Sequence, residues 1–296
     1  MASLKDIRMR IDSTKNTQQI TRAMKMVSAA KLRKAQMNIL NSRPYAQRVL
    51  SVIADLAATQ RVEHPLLGQK ENPQKILLVV LTSDRGFCGA FNSNIGKFAD
   101  RYYRENQATC ERVDLLFIGR KGRDFFMRRH PKANVVDTVL NLAKDISYDM
   151  AAQTAEKLIA RYLDGDYDEI RLVFNQFRSA ISQVVTCERL LPVELTNNSF
   201  EEQQNSAGFS RDFIFEPKPK VMVEQLLRKH FAVQVYRCMS ESIASEHGAR
   251  MNSMENATKN AGELISSLTL TYNKLRQASI TTELIEITSG AEALKG

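Results

Sequence analysis

The sequence predicts a mostly parallel α/β domain inserted between two long terminal helices that pair as an antiparallel coiled coil. Three observations carry this reading. From Pro219 to Gly296 there is no proline after the first residue, and apolar or small side chains recur at Ala257, Ala261, Leu264, Leu268, Thr271, Leu275, Ala278, Thr282 and Ile285. Those positions alternate steps of four and three, the period of a helix that lays one seam against a partner. Residues 3–58 carry a helical pattern as well, and between the two helices the apolar residues gather into short continuous runs typical of strands buried on both faces.

In the first helix, Leu4, Ile7 and Ile11 begin an apolar stripe that resumes at Ile20, Met24 and Val27, then at Leu32, Ala35 and Ile39, and continues as Val49, Ile53 and Leu56. Pro44 is expected to kink or restart the helix after Arg43. Pro65, Gly68 and Pro73 make residues 64–73 a linker. Lys75 to Thr82 reads as a buried strand running into the turn Ser83-Asp84-Arg85-Gly86, with a helix from Asn92 to Tyr103 behind it. Val113 to Ile118 repeats the strand, followed by Gly119-Arg120-Lys121-Gly122 and a helical segment to Arg129. A short strand at Val135 to Val139, a helix at Ile146 to Leu163, and strands at Asp168 to Phe177 and Ser182 to Leu195 complete the series.

Thr196 to Arg211 is polar and reads as a loop, and Phe213 to Pro217 leads into the last helix, whose earlier apolar face is Val223, Leu227, Phe231, Met239 and Ile243. A single helix of roughly 75 residues is on the order of 110 Å long, so it is expected to project beyond any globular body. The domain reading is therefore an N-terminal coiled-coil helix over 1–60, the α/β domain over 74–195, a polar loop and foot segment over 196–216, and the C-terminal helix over 217–296.

Charge is unevenly spread. Residues 1–48 hold eleven basic side chains against two acids, which alone equals the formal net charge of +9, and the other 248 residues balance. Such a segment calls for an anionic partner. Its bases are not interleaved with aromatics and match no DNA or RNA module, so an acidic protein surface ranks above nucleic acid. The longest apolar run, Ile76 to Leu81, is far too short to span a bilayer, so no membrane span is expected. Cys88, Cys110, Cys187 and Cys238 are isolated, as in a reducing compartment, and with the four scattered histidines they offer no metal site.

Chemistry is equally sparse. Ser83 to Asn92 has only Gly86 and Gly89, which is neither G-x-G-x-x-G nor a P-loop, and Gly119-Arg120-Lys121-Gly122 fails the same test. No HExxH or GxSxG appears, and Glu201 and Glu202 lie in the polar loop. The runner-up reading remains a nucleotide-dependent enzyme using the central domain. In the last helix, Ala278 to Thr288 is poor in charge, so it suits a close-fitting sleeve, and Arg276 and Gln277 just before it offer directional hydrogen bonds.

Three segments carry a family resemblance: Ile20 to Leu32 (I-T-R-A-M-K-M-V-S-A-A-K-L), Thr82 to Asn92 (T-S-D-R-G-F-C-G-A-F-N) and Ile280 to Leu294 (I-T-T-E-L-I-E-I-T-S-G-A-E-A-L), with weaker support from Ala249-Arg250-Met251 and Asn256-Ala257-Thr258. In these the chain resembles the gamma subunits of F-type ATP synthases. The resemblance implies a non-catalytic rotor shaft without cofactor. Its coiled coil would penetrate a ring of alpha and beta subunits, and its Rossmann-like domain would sit empty of nucleotide at the foot, beside epsilon and the membrane c-ring. It further implies a peripheral position on the cytoplasmic side of a bacterial inner membrane. Carried onto this sequence, Arg276, Gln277, Thr281 and Glu286 match positions at the beta-subunit contact, Met24 and Lys25 match positions facing a beta-subunit loop, and Phe213, Phe215 and Glu216 fall at the foot contact with the c-ring. Phe87 stands where the family usually has Leu, and Gly248, Ser253 and Lys259 stand where it has Ala, Ala and Asp. A glycine at 248 is expected to weaken the helix locally by ~1 kcal/mol relative to Ala.

Overall fold

The computed structural model describes residues 3–60, 64–67, 72–140, 146–193 and 219–293. Two helices dominate: α1 (Leu4–Gln60), of 57 residues, and the last helix, α5 (Pro219–Ala293), of 75. Each runs through both of the compact units into which the chain divides, Met1–Ala29 with Arg250–Gly296, and Ala30–Ala249. α1 is one helix across Pro44, so the proline removes one helical hydrogen bond without ending the element. The polar loop of 196–211 and the foot residues Phe213, Phe215 and Glu216 lie outside the described residues.

The larger unit is built on five strands, β1 (Lys75–Leu81), β2 (Arg112–Ile118), β3 (Val135–Val139), β4 (Glu169–Phe177) and β5 (Gln183–Leu191), in the order β3-β2-β1-β4-β5. The helices α2 (Phe91–Gln107), α3 (Arg120–Met127) and α4 (Tyr148–Leu163) connect the parallel strands. β5 alone runs antiparallel, because only residues 178–182 separate it from β4 and so short a connection permits a hairpin but no crossover. It ends at Leu191, short of the Leu195 expected.

β1 lies in the middle of the sheet and is buried at every position from Ile76 to Leu81. Alternate side chains take opposite faces. Leu77, Val79 and Leu81 join a core with Leu158 of α4 and with Val223, Leu227 and Phe231 of α5. Leu78 and Val80 join a second core with Phe91 and Ile95 of α2, Phe117 of β2 and Phe126 of α3. Polar contacts pin α5 onto this sheet: the Ser245 hydroxyl donates to the Asn175 carbonyl at 2.9 Å, and Arg237 pairs with Glu188 of β5 and, at 3.2 Å, with Glu241 on its own helix. Gly248 has a packing reason. A Cβ there would lie 3.3 Å from the Ala180 backbone and 3.5 Å from the Phe177 ring, so its absence lets the helix seat against the β4–β5 turn.

The smaller unit consists of the first 26 residues of α1, Leu4 to Ala29, and of α5 from Arg250 to its end.

Candidate functional site

The sheet offers the first place to look, because open α/β sheets bind ligands beyond the carboxyl ends of their strands, where helix N-termini present free N–H groups. At α3 those groups are already in use. The Arg120 N–H donates to Asp84 Oδ1 at 3.0 Å, the Lys121 N–H to the Ser83 carbonyl at 3.1 Å, and the Gly122 N–H to Thr82 Oγ1 at 2.9 Å. Glycine makes that closeness feasible: at Gly119, with φ of 104°, a Cβ would lie 2.1 Å from the Thr82 carbonyl oxygen. The loop after β1 thus occupies the donors that a phosphate would need, and the nucleotide reading loses its cradle at α3. Among the described residues no group of three His, Cys, Asp or Glu is placed to hold a metal ion. Burial pushes the thiols of Cys187 and Cys238 up, which keeps them protonated and inert as nucleophiles.

The coiled coil offers the second place. Its seam on α1 starts at Leu4, Ile7 and Ile11 as expected, but it continues in the same steps through Thr14, Gln18, Thr21, Lys25 and Ser28. Ile20 is 61 % exposed and Val27 also faces outward, so the apolar stripe expected to resume at Ile20 and Val27 is a different face of the helix. On α5 the expected positions Ala257, Ala261, Leu268 and Leu275 are buried or half-buried. Between them, however, the seam takes Ile265, Tyr272 and Ser279, one residue along from Leu264, Thr271 and Ala278, which are exposed together with Thr282 and Ile285. The polar seam residues are joined across the helices. Thr258 Oγ1 lies 2.8 Å from Thr21 Oγ1, Gln18 Nε2 donates to the Thr258 carbonyl at 3.4 Å, and Lys25 Nζ meets Glu255 Oε1 at 2.7 Å. Higher numbers on α1 meet lower numbers on α5, so the pair is antiparallel.

A polar seam leaves apolar side chains to face outward. Met9, Ile20, Met26 and Val27 on α1, and Leu264, Leu270 and Ile280 on α5, are exposed. From Ile280 onward every described side chain of α5 is exposed, including Leu284, Ile285 and Ile287, the last at 68 %. Exposed apolar surface of this extent marks a region that contacts other molecules.

The candidate contact residues fall into two groups. Met24 is half-buried beside Lys25, whose pair with Glu255 is a solvent-screened surface contact of at most about 1 kcal/mol. Arg276, Gln277, Thr281 and Glu286 are all exposed on α5. Gln277 and Thr281 lie one turn apart on one face, and the Thr281 hydroxyl donates to the Gln277 carbonyl at 2.9 Å. Glu286 follows Gln277 by nine residues, about two and a half turns, so it projects from the opposite side of the helix. Glu255, opposite Lys25, precedes Arg276 by 21 residues, or about 32 Å of helix. The two groups of candidates therefore lie at separate places along one coil. Sequence reasoning missed the polar seam of Gln18, Thr21 and Thr258. The three-four spacing runs on unbroken from Ile11 through these residues, but a helical period alone does not say that polar side chains take the inside.

Fold and surface together define a coiled-coil protein with outward-facing apolar side chains, whose sequence carries a doubly wound α/β domain between the two helices. Comparison with known proteins gives it a family. A family profile described as ATP synthase matches residues 3–294. The ATP synthase gamma chain of Bdellovibrio bacteriovorus is 62 % identical over 297 residues, covering 100 % of both chains, and that of Geobacter metallireducens is 48 % identical over 296 residues with the same coverage. Among solved structures, a chain from the central stalk and c-ring of the Tetrahymena thermophila mitochondrial ATP synthase superposes with a TM-score of 0.60 at 30 % identity, covering 80 % of this chain and 99 % of that one. A chain from the Euglena gracilis mitochondrial ATP synthase shares the fold with a TM-score of 0.68 at 24 % identity, covering 98 % and 94 %. The chain belongs to the ATP synthase gamma-chain family.

Proposed function

We propose that this chain is the central rotor shaft of a proton-driven ATP synthase, coupling rotation of the membrane c-ring to sequential conformational changes at the catalytic beta subunits. The observation that carries it is the coiled coil itself, with a seam that is partly polar and apolar side chains outside, ending in a stretch of α5 exposed on all sides. A contact can shift a site between states only by interacting differently with each. A shaft carrying Gln277 and Thr281 on one face and Glu286 on another presents a different surface to each of three surrounding sites as it turns. The apolar side chains supply a surface that slides without burying unpaired charge.

In this reading the chain holds no catalytic group, and the chemistry belongs to the head of alpha and beta subunits. Arg276, Gln277, Thr281 and Glu286 make one beta-subunit contact, and Met24 with Lys25 makes another. The domain of residues 74–195 forms the foot with epsilon, and Phe213, Phe215 and Glu216 meet the c-ring. The chain is peripheral, on the cytoplasmic side of a bacterial inner membrane; no helix among the described residues is long and apolar enough to cross one.

The test is assembly followed by coupling. The chain should co-purify with alpha and beta subunits, and failure to do so ends the reading. With Arg276→Ala and Gln277→Ala combined, the complex should assemble while gradient-driven ATP synthesis in membrane vesicles falls several-fold. Unchanged synthesis would remove both residues from the torque path.

A further inference from the structure

We infer that Gln18, Thr21 and Thr258, with the Lys25–Glu255 pair beside them, are the register pin of the coiled coil: positioning residues that hold α1 and α5 at one axial offset while torque passes along them. The inference rests on the rotor reading for its function and on the seam geometry for its existence.

The two ends of the seam differ in kind. Toward the tip, α1 contributes Leu4, Ile7 and Ile11, and α5 contributes Ile265, Leu268, Tyr272 and Leu275 in a three-four pattern. Apolar side chains that repeat every seven residues accept a partner displaced by one heptad almost as well as in place, because dispersion and apolar burial carry no direction. At the other end the contacts are directional. Thr21 is 8 % exposed, and its hydroxyl oxygen lies 2.8 Å from that of Thr258; the two hydroxyl protons are shared among this contact, the Gln18 carbonyl at 3.0 Å from Thr21 and the Met254 carbonyl at 2.7 Å from Thr258. The Thr258 carbonyl accepts from Gln18 Nε2 at 3.4 Å. Opposite Gln18 stands Gly262, where a Cβ would come within 3.0 Å of that same nitrogen, so the amide fits beside this residue because it lacks a side chain. One heptad along in either direction, α5 offers Met251 or Ile265 in place of Thr258, neither of which has a hydroxyl, so a slip would replace the polar contact across the seam with a hydrocarbon. A single polar position in an apolar seam is the best-attested way for a coiled coil to select its register.

The consequence for a rotor is mechanical. The two groups of contact residues lie on the same coil, Met24 and Lys25 on α1 and Arg276 with Gln277 on α5, and their axial offset is set by the pairing of the helices. A slip of one heptad would move one group past the other by about 10 Å, enough to separate their contacts within the head.

The experiment uses the assembled complex in membrane vesicles, carrying Thr21→Val with Thr258→Val, which keeps side-chain shape and removes both hydroxyls, and, as the rescue, Thr21→Ser with Thr258→Ser. Register is read by cysteine cross-linking in each background. Continuing the observed pairing sets Thr14 level with Ile265, so Thr14→Cys should cross-link to Ile265→Cys in the native register and to Tyr272→Cys after a one-heptad slip. Expected in the Val pair are a gain of the 14–272 cross-link and a several-fold loss of ATP made per proton translocated, with ATP hydrolysis much less affected; the Ser pair should restore both. Native cross-linking with normal coupling in the Val pair would overturn the inference, as would slipped register with normal coupling, or lost coupling in the native register. If the unsubstituted chain never assembles with alpha and beta subunits, the rotor reading fails instead, while the cross-linking pattern of the free chain still reports on the pin.

Discussion

The sheet of the larger unit buries a wholly apolar central strand, whereas the coiled coil of the smaller one buries polar side chains together with apolar ones. β1 is apolar and buried at every position from Ile76 to Leu81, and it divides its side chains between two cores. The coil takes Thr21, Ser28 and part of Gln18 into its seam away from the tip and turns Ile20, Met26 and Val27 outward. A sheet covered on both faces has no outer surface to offer, so apolar content there serves stability. Two helices cover one seam each, and the remainder of their circumference is free for contact. Apolar residues on that remainder add little to the fold of the isolated chain and mark where other molecules press.

The largest expected effect probes the sheet. Phe117→Ala empties a fully buried position of β2 and should destabilise the chain by about 3–5 kcal/mol in chemical denaturation. A loss below about 1 kcal/mol would mean that the second core is loosely packed. Next comes a buried charge effect where α5 meets the sheet. Burial, with the Arg237 charge, pushes His230 from its ordinary 6.5 down to about 4, and its Nδ1 has no hydrogen-bond partner among the described residues. The unfolded chain therefore takes up this proton at higher pH than the folded one does. The stability is fully present above about pH 6.5 and is lost as the pH falls toward about 4, by about 3 kcal/mol at most. Denaturation midpoints measured across that window should flatten in His230→Leu; an unchanged slope would assign the acid sensitivity to other groups. The smallest effect on stability, and the sharpest on the comparison, is Ile20→Ala on the coil. It should alter the stability of the free chain by no more than about 0.5 kcal/mol, yet slow ATP-driven turnover of the assembled complex. Strong destabilisation of the free chain would show that Ile20 belongs to the fold rather than to the contact face.

Legibility followed the same division. Most strands were readable closely, with Val135 to Val139 matching in full and β1, β2 and β4 within one residue at either end, whereas β5 stops four residues before the expected Leu195 and α2 runs four past the expected Tyr103. Continuous apolar runs have one reading when both faces are buried. The antiparallel direction of β5 was not read from the sequence, although the short connection from β4 excludes a crossover. The coil was harder. Its period was legible, and so were Ala261, Leu268 and Leu275, but the helical pattern alone could not tell inward Ile265 from outward Leu264, or outward Ile20 from inward Thr21. Arg276 and Gln277 stood out as a polar pair at the edge of a charge-poor stretch and became contact candidates through the family resemblance, whereas Gln18, Thr21 and Thr258 looked like ordinary surface residues. Gly248, expected to weaken its helix, proved to be a packing site against Ala180.

Composition along the chain settles which segments are strands and which are long helices, because the local period of apolar residues is a property of neighbours in sequence. Motif order in the same way supports the family. Which side of each long helix is the inside was decided only in three dimensions, by Thr21 meeting Thr258 across 237 residues of chain and Lys25 meeting Glu255 across 230. A helix can bury a hydroxyl and expose an isoleucine when a partner helix supplies the hydrogen bond. That partner is invisible to any reading confined to one segment.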